Sequence, residues 1–74
     1  MKKEILSIIN DIRETKNLRA LESLDETDNL RNDLCLTSLD LAELTVRIED
    51  EFGIDVFEDG IVNTIGEIYG RLGI

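Results

Sequence analysis

The chain has no histidine, proline or tryptophan, a single cysteine, and eight Lys and Arg residues against seventeen Asp and Glu in 74. Without histidine there is no imidazole base for a serine or cysteine nucleophile and no credible zinc cluster. Cys35 alone cannot close an internal disulfide. No run of eighteen apolar residues could span a bilayer, and Met1 to Asn10 lacks the apolar core and cleavage site of a signal peptide, so a cytoplasmic location without membrane insertion is expected. A net charge of −9 argues against nucleic acid as a partner, because phosphate backbones are neutralised by Lys and Arg. Basic protein surfaces fit better. A non-enzymatic role is expected, since no nucleophile pair, metal cluster or phosphate-cradling glycine loop is present.

Seventy-four residues allow one small domain, taken here as 1–74. The apolar content of 42 % is regularly spaced, as in a folded core. From Lys2 to about Thr15, Ile5, Ile8, Ile9 and Ile12 mark one face of a helix. Asn17 to Thr37 reads as a long connection pinned by scattered leucines, with room for a helical turn. A second helix is predicted from Ser38 to Phe52, stopped by Gly53. Ile54 to Val62 is expected to form one or two helical turns. The last helix follows Thr64, which with Glu67 makes the S/T-x-x-E capping box, ahead of Ile65, Ile68, Tyr69 and Leu72. Gly66 and Gly70 weaken it. With no strand pattern and no proline to break a segment, the fold class is all-α: a small antiparallel four-helix bundle of three main helices and one short one.

The second helix is apolar on two sides. At 100° per residue, Leu41, Leu44, Ile48 and Phe52 lie within about 80° of one another and form a core stripe. Leu39, Ala42 and Val46 lie opposite, flanked by Glu43, Glu49 and Asp50, with Asp40 at the edge. Between Ser38 and Asp59 there are eight carboxylates and one cation, Arg47. An apolar strip ringed by carboxylates suits a transient partner with a basic rim, where charge steers the encounter. Two calcium-loop registers, from Asp25 and from Asp55, place Leu, Phe or Gly at ligand positions, so no metal site is expected. At the start of this helix, Thr37 as N-cap with Asp40 three residues on would free the Ser38 hydroxyl at the first helical position, where a phosphate is favoured. The alternative is that Ser38 is itself the cap and carries nothing.

"DLCLTSLDLAELTVRIEDEFGIDV" resembles the central segment of acyl carrier proteins, D-L-G-x-D-S-L-D followed by an acidic helix ending in E-E-F. Asp33, Leu34, Ser38, Leu39, Asp40, Glu43, Leu44, Glu51 and Phe52 match without a gap, and "NTIGEIYGRL" resembles the closing helix. The resemblance implies that Ser38 receives 4'-phosphopantetheine from coenzyme A through a phosphopantetheinyl transferase. The arm would carry acyl groups as thioesters, delivered by a monomer to acyl-transferring, condensing or ligating enzymes of fatty-acid, polyketide or related specialised biosynthesis. It places Leu39, Asp40, Ala42, Glu43, Val46, Glu49 and Asp50 at the partner interface. A peptidyl or aminoacyl carrier and an unmodified docking module are the alternatives. Three departures stand out. Thr37 replaces the usual aspartate. Cys35 replaces the usual glycine, and its thiol is expected to be buried or half-buried. Phe57 stands where proline is common and would alter the entrance to an acyl pocket. Acyl chains are expected among Ile5, Leu44, Ile48, Val62, Ile65 and Ile68.

Overall fold

Ile5, Ile8, Ile9 and Ile12 share one face only if the chain forms a helix over the two turns or so that they span. The computed structural model, which describes residues 1–74, supplies it as α1, Lys2–Thr15, with Ile5, Ile8, Ile9 and Ile12 all buried. Beyond it Asn17 takes a φ of 61°, a left-handed conformation that ends the helical path and that Asn tolerates. α2 spans Ser38–Phe52 and ends at Gly53 with a φ of 73°, where a Cβ would be strained. Leu44 and Ile48 are fully buried, with Leu41 and Phe52 partly buried at the margin of the same core. α3 spans Ile65–Leu72 and buries Ile65, Ile68, Tyr69 and Leu72.

α1 and α2 run antiparallel. Lys16, just past α1, pairs with Asp40 in the first turn of α2, while Asp11, earlier in α1, pairs with Arg47 further along α2. No helix is long and apolar enough to cross a membrane.

The segment between α1 and α2 lacks regular structure but is tied down throughout. Leu30, Leu34 and Leu36 are buried, and Leu21 and Leu24 pack against the core. Asn10 of α1 exchanges two hydrogen bonds with the Leu21 backbone, at 2.9 and 2.8 Å. The buried Arg13 guanidinium donates to the Leu34 carbonyl at 2.6 Å and to the Arg19 carbonyl through Nε and Nη2. The expected helical turn is present. Asn29 Oδ1 accepts from the amides of Arg31 and Asn32, and the Asn29 carbonyl accepts from those of Asp33 and Leu34.

Three local expectations are corrected. Ile54 to Val62 forms turns rather than a helix, so the bundle has three helices. Asp55 Oδ1 captures the Phe57 amide, the Glu58 and Gly60 amides bond three residues back, and Gly60 opens to a φ of 129°. These side-chain and i→i+3 bonds compete with helical pairing. Glu67 does not complete the capping box. Thr64 Oγ1 accepts from the Glu67 amide, but the Glu67 carboxylate accepts from the Asn63 amide. The chain enters α3 through an antiparallel bridge between Thr64 and Asn29, and this extended approach brings the Asn63 N–H to the carboxylate. Cys35 is exposed rather than buried, because Leu34 and Leu36 on either side both turn into the core. The chain accommodates this with a φ of 61° at Cys35, a conformation that costs a side-chain-bearing residue energy. Glycine, the usual residue in the resembling family, would adopt it freely.

Candidate functional site

The start of α2 is organised by a reciprocal cap. Thr37 has an extended backbone, its hydroxyl accepts from the Asp40 amide at 3.2 Å, and Asp40 Oδ2 accepts from the Thr37 amide at 2.8 Å. Two otherwise unpaired backbone donors are thereby satisfied by neighbours of Ser38, and Thr37 is the N-cap. Ser38 is the first helical residue, exposed, with its hydroxyl free of capping. Its Oγ accepts one hydrogen bond, from Nη2 of Arg31 at 2.6 Å.

Asp40 is held from two directions. Lys16 Nζ lies 2.6 Å from Oδ2, with the side chains 28 % and 16 % exposed for Lys16 and Asp40. The Lys16 ammonium, and after it the Thr37 amide, hold the Asp40 carboxyl below its ordinary value of 3.8. Asp40 is therefore an internal strut as much as a surface charge. Sequence reasoning placed it at the edge of the second face, and the structure turns it toward α1.

The remaining residues of that face do come together. Leu39, Ala42, Glu43, Val46, Glu49 and Asp50 are all exposed, with Leu39 at 81 % and Val46 at 66 % exposure. Val46, Glu49 and Asp50 line one open depression on this surface. Glu43 stands 4.0 Å from Arg47, whose other nitrogen contacts Asp11 at 2.9 Å, so the lone cation of this helix is turned back toward α1.

A second, open groove begins at Ser38 itself. Leu41, Ala42, Thr45 and Phe57 line it, so the ring of Phe57 flanks the exit from the serine. The six residues expected to shelter an acyl chain are all fully buried and belong to the close-packed core. They offer no open entrance, and the apolar surface next to Ser38 is supplied by the groove residues instead. Arg31 and Lys16 went unremarked in the sequence, because each meets its partner across a gap of seven or twenty-four residues in no regular element.

The site is thus an exposed serine hydroxyl on the first turn of an acidic helix in a small helical bundle, a position open to covalent attachment. The comparisons with known proteins agree. The family model described as "Phosphopantetheine attachment site" matches residues 4–72, and the chain belongs to this family, with phosphopantetheine as its prosthetic group. The chain is similar to the acyl carrier protein of Lactobacillus acidophilus, at 38 % identity over 48 residues. That alignment spans 62 % of this chain and 60 % of the relative's length. No solved structure matches the chain significantly. The exposed Ser38 hydroxyl, the open end of α2 and the nearby guanidinium fit a phosphodiester.

Proposed function

We propose that this chain is an acyl carrier protein that bears 4'-phosphopantetheine on Ser38 and delivers acyl groups to partner enzymes. The observation that carries the reading is the exposed Ser38 hydroxyl at the first position of α2, spared from capping by the Thr37 and Asp40 pair. Loading would form a bond from Ser38 Oγ to phosphorus and break the phosphoanhydride of coenzyme A. Adenosine 3',5'-bisphosphate leaves, and the hydroxyl proton passes to the transferase. When attached, the arm supplies a thiol that holds an acyl group as a thioester.

The chain's own residues supply a tether point and an address. Leu39, Ala42 and Val46 offer apolar contact, and Glu43, Glu49 and Asp50 attract the basic rims of the phosphopantetheinyl transferase and of acyl-transferring, condensing or ligating enzymes. Asp40 contributes mainly by holding the helix start in place. In this reading the protein is a cytoplasmic single-domain monomer serving fatty-acid, polyketide or related biosynthesis, and the chemistry is done by its partners.

The test is intact mass after incubation with coenzyme A and a broad-specificity phosphopantetheinyl transferase, beside a Ser38→Ala control. Addition of one phosphopantetheine to the native chain and none to the control is expected. An unchanged native mass with the transferase of its own cell would instead favour an unmodified docking module.

A further inference from the structure

We propose that Arg31 holds the phosphodiester of the prosthetic arm and so sets the direction in which the arm leaves the bundle. This rests on Ser38 being the attachment residue. Arg31 Nη2 already donates to Ser38 Oγ at 2.6 Å. In a chain with seventeen carboxylates, Arg31 pairs with none of them within 4.0 Å; the ion pairs are made by the N-terminus, Lys16 and Arg47. A guanidinium that pairs with no carboxylate and rests on a serine hydroxyl is placed for an anion that arrives on that serine.

The backbone beneath Arg31 is fixed. Its amide donates to Asn29 Oδ1 at 2.9 Å, the Leu30 amide donates to the Asn63 carbonyl at 2.8 Å, and the Leu36 amide returns to the Leu30 carbonyl at 3.0 Å. Only the exposed side chain has to adjust when the serine gains a phosphoryl group. A phosphodiester has one negative charge shared by two non-bridging oxygens, a geometry that the planar guanidinium matches with two donors. The carboxylates closest to Ser38 in sequence on either side are already hydrogen-bonded elsewhere. Asp40 is paired with Lys16, Asp33 Oδ2 accepts from the Asn29 amide at 2.7 Å, and the preceding residue, Thr37, is uncharged. Arg31 is a positioning residue: it takes no part in bond making and restrains the base of the arm.

The experiment compares apo and loaded forms of the native protein, Arg31→Gln and Arg31→Lys, each checked by intact mass. The loaded native protein is expected to melt roughly 2–8 °C above its apo form at low ionic strength. Most of that gain should disappear in Arg31→Gln or in high salt, and part of it should survive in Arg31→Lys. The phosphorus NMR resonance of the phosphodiester should also move between native and Arg31→Gln, which a purely structural role for Arg31 would not produce. An equal gain on loading and an unshifted resonance in Arg31→Gln would overturn the proposal. Failure to load Ser38 at all would show in the mass spectra before any melting experiment and would remove the attachment reading together with this one.

Discussion

Replacing Asp40 with Asn isolates the charge that fastens α2 to α1. Asn is nearly isosteric and retains an oxygen able to accept from the Thr37 amide, so the loss is electrostatic. With both side chains mostly shielded and 2.6 Å apart, the pair with Lys16 lies at the upper end for such contacts, about 1 kcal/mol. Removing a negative charge from the first turn costs about 0.5 kcal/mol more through the helix dipole. The sum of about 1.5 kcal/mol corresponds to a midpoint lower by roughly 6–12 °C for a domain of this size. Circular dichroism melts at neutral pH would measure it, and a double-mutant cycle with Lys16→Met should return a coupling of about 1 kcal/mol.

The pH dependence supplies a second check. The folded-state pKa of Asp40 lies below the ordinary 3.8, so its contribution is complete above 3.8 and fades as pH falls through the depressed folded value. The difference between native and Asp40→Asn should therefore narrow in that acid range. A gap that stays constant into acid, or a coupling near zero at neutral pH, would refute this account of the α1 to α2 contact.

The two glycines of α3 should respond to alanine in opposite directions. A Cβ on Gly66 would meet the Glu26 carbonyl oxygen at 3.0 Å and Glu26 Cβ at 3.3 Å, where the Gly66 amide also bonds that carbonyl at 2.9 Å. Gly66→Ala is therefore expected to destabilise by about 1 kcal/mol despite its better helix propensity. Gly70 faces open space, and Gly70→Ala should stabilise by up to about 1 kcal/mol; urea denaturation distinguishes the signs. Arg13→Met should cost about 2–4 kcal/mol by the same assay, because the buried Leu34 carbonyl loses its charged donor and the Arg19 carbonyl two further bonds.

The helices and the candidate serine could be read from residue order because their signals are local. An apolar period of 3.6, a Thr with Asp three residues later, and a Gly after Phe52 all act within one or two helical turns. The two-sided character of α2 follows in the same way, since angle around a helix axis depends only on position, and Leu39 and Val46 are indeed exposed. The matching segment around Ser38 placed the chain in its family for a similar reason: the motif is contiguous.

Contacts that span the chain were beyond such reasoning. Whether Asp40 meets solvent or Lys16 depends on how α1 lies against α2, and Arg31 reaches Ser38 only because the connection is pinned at Asn29, Leu30 and Leu36. Gly66 looks like a weak helix residue until the Glu26 backbone is seen to approach it. Turns at Asp55 to Gly60 replace a helix because one side chain captures one amide, a competition too close for composition to decide. Local periodicity and caps set where each helix starts and which face it buries. Packing of distant segments decided which surface charges became internal struts and which cation was left beside the serine.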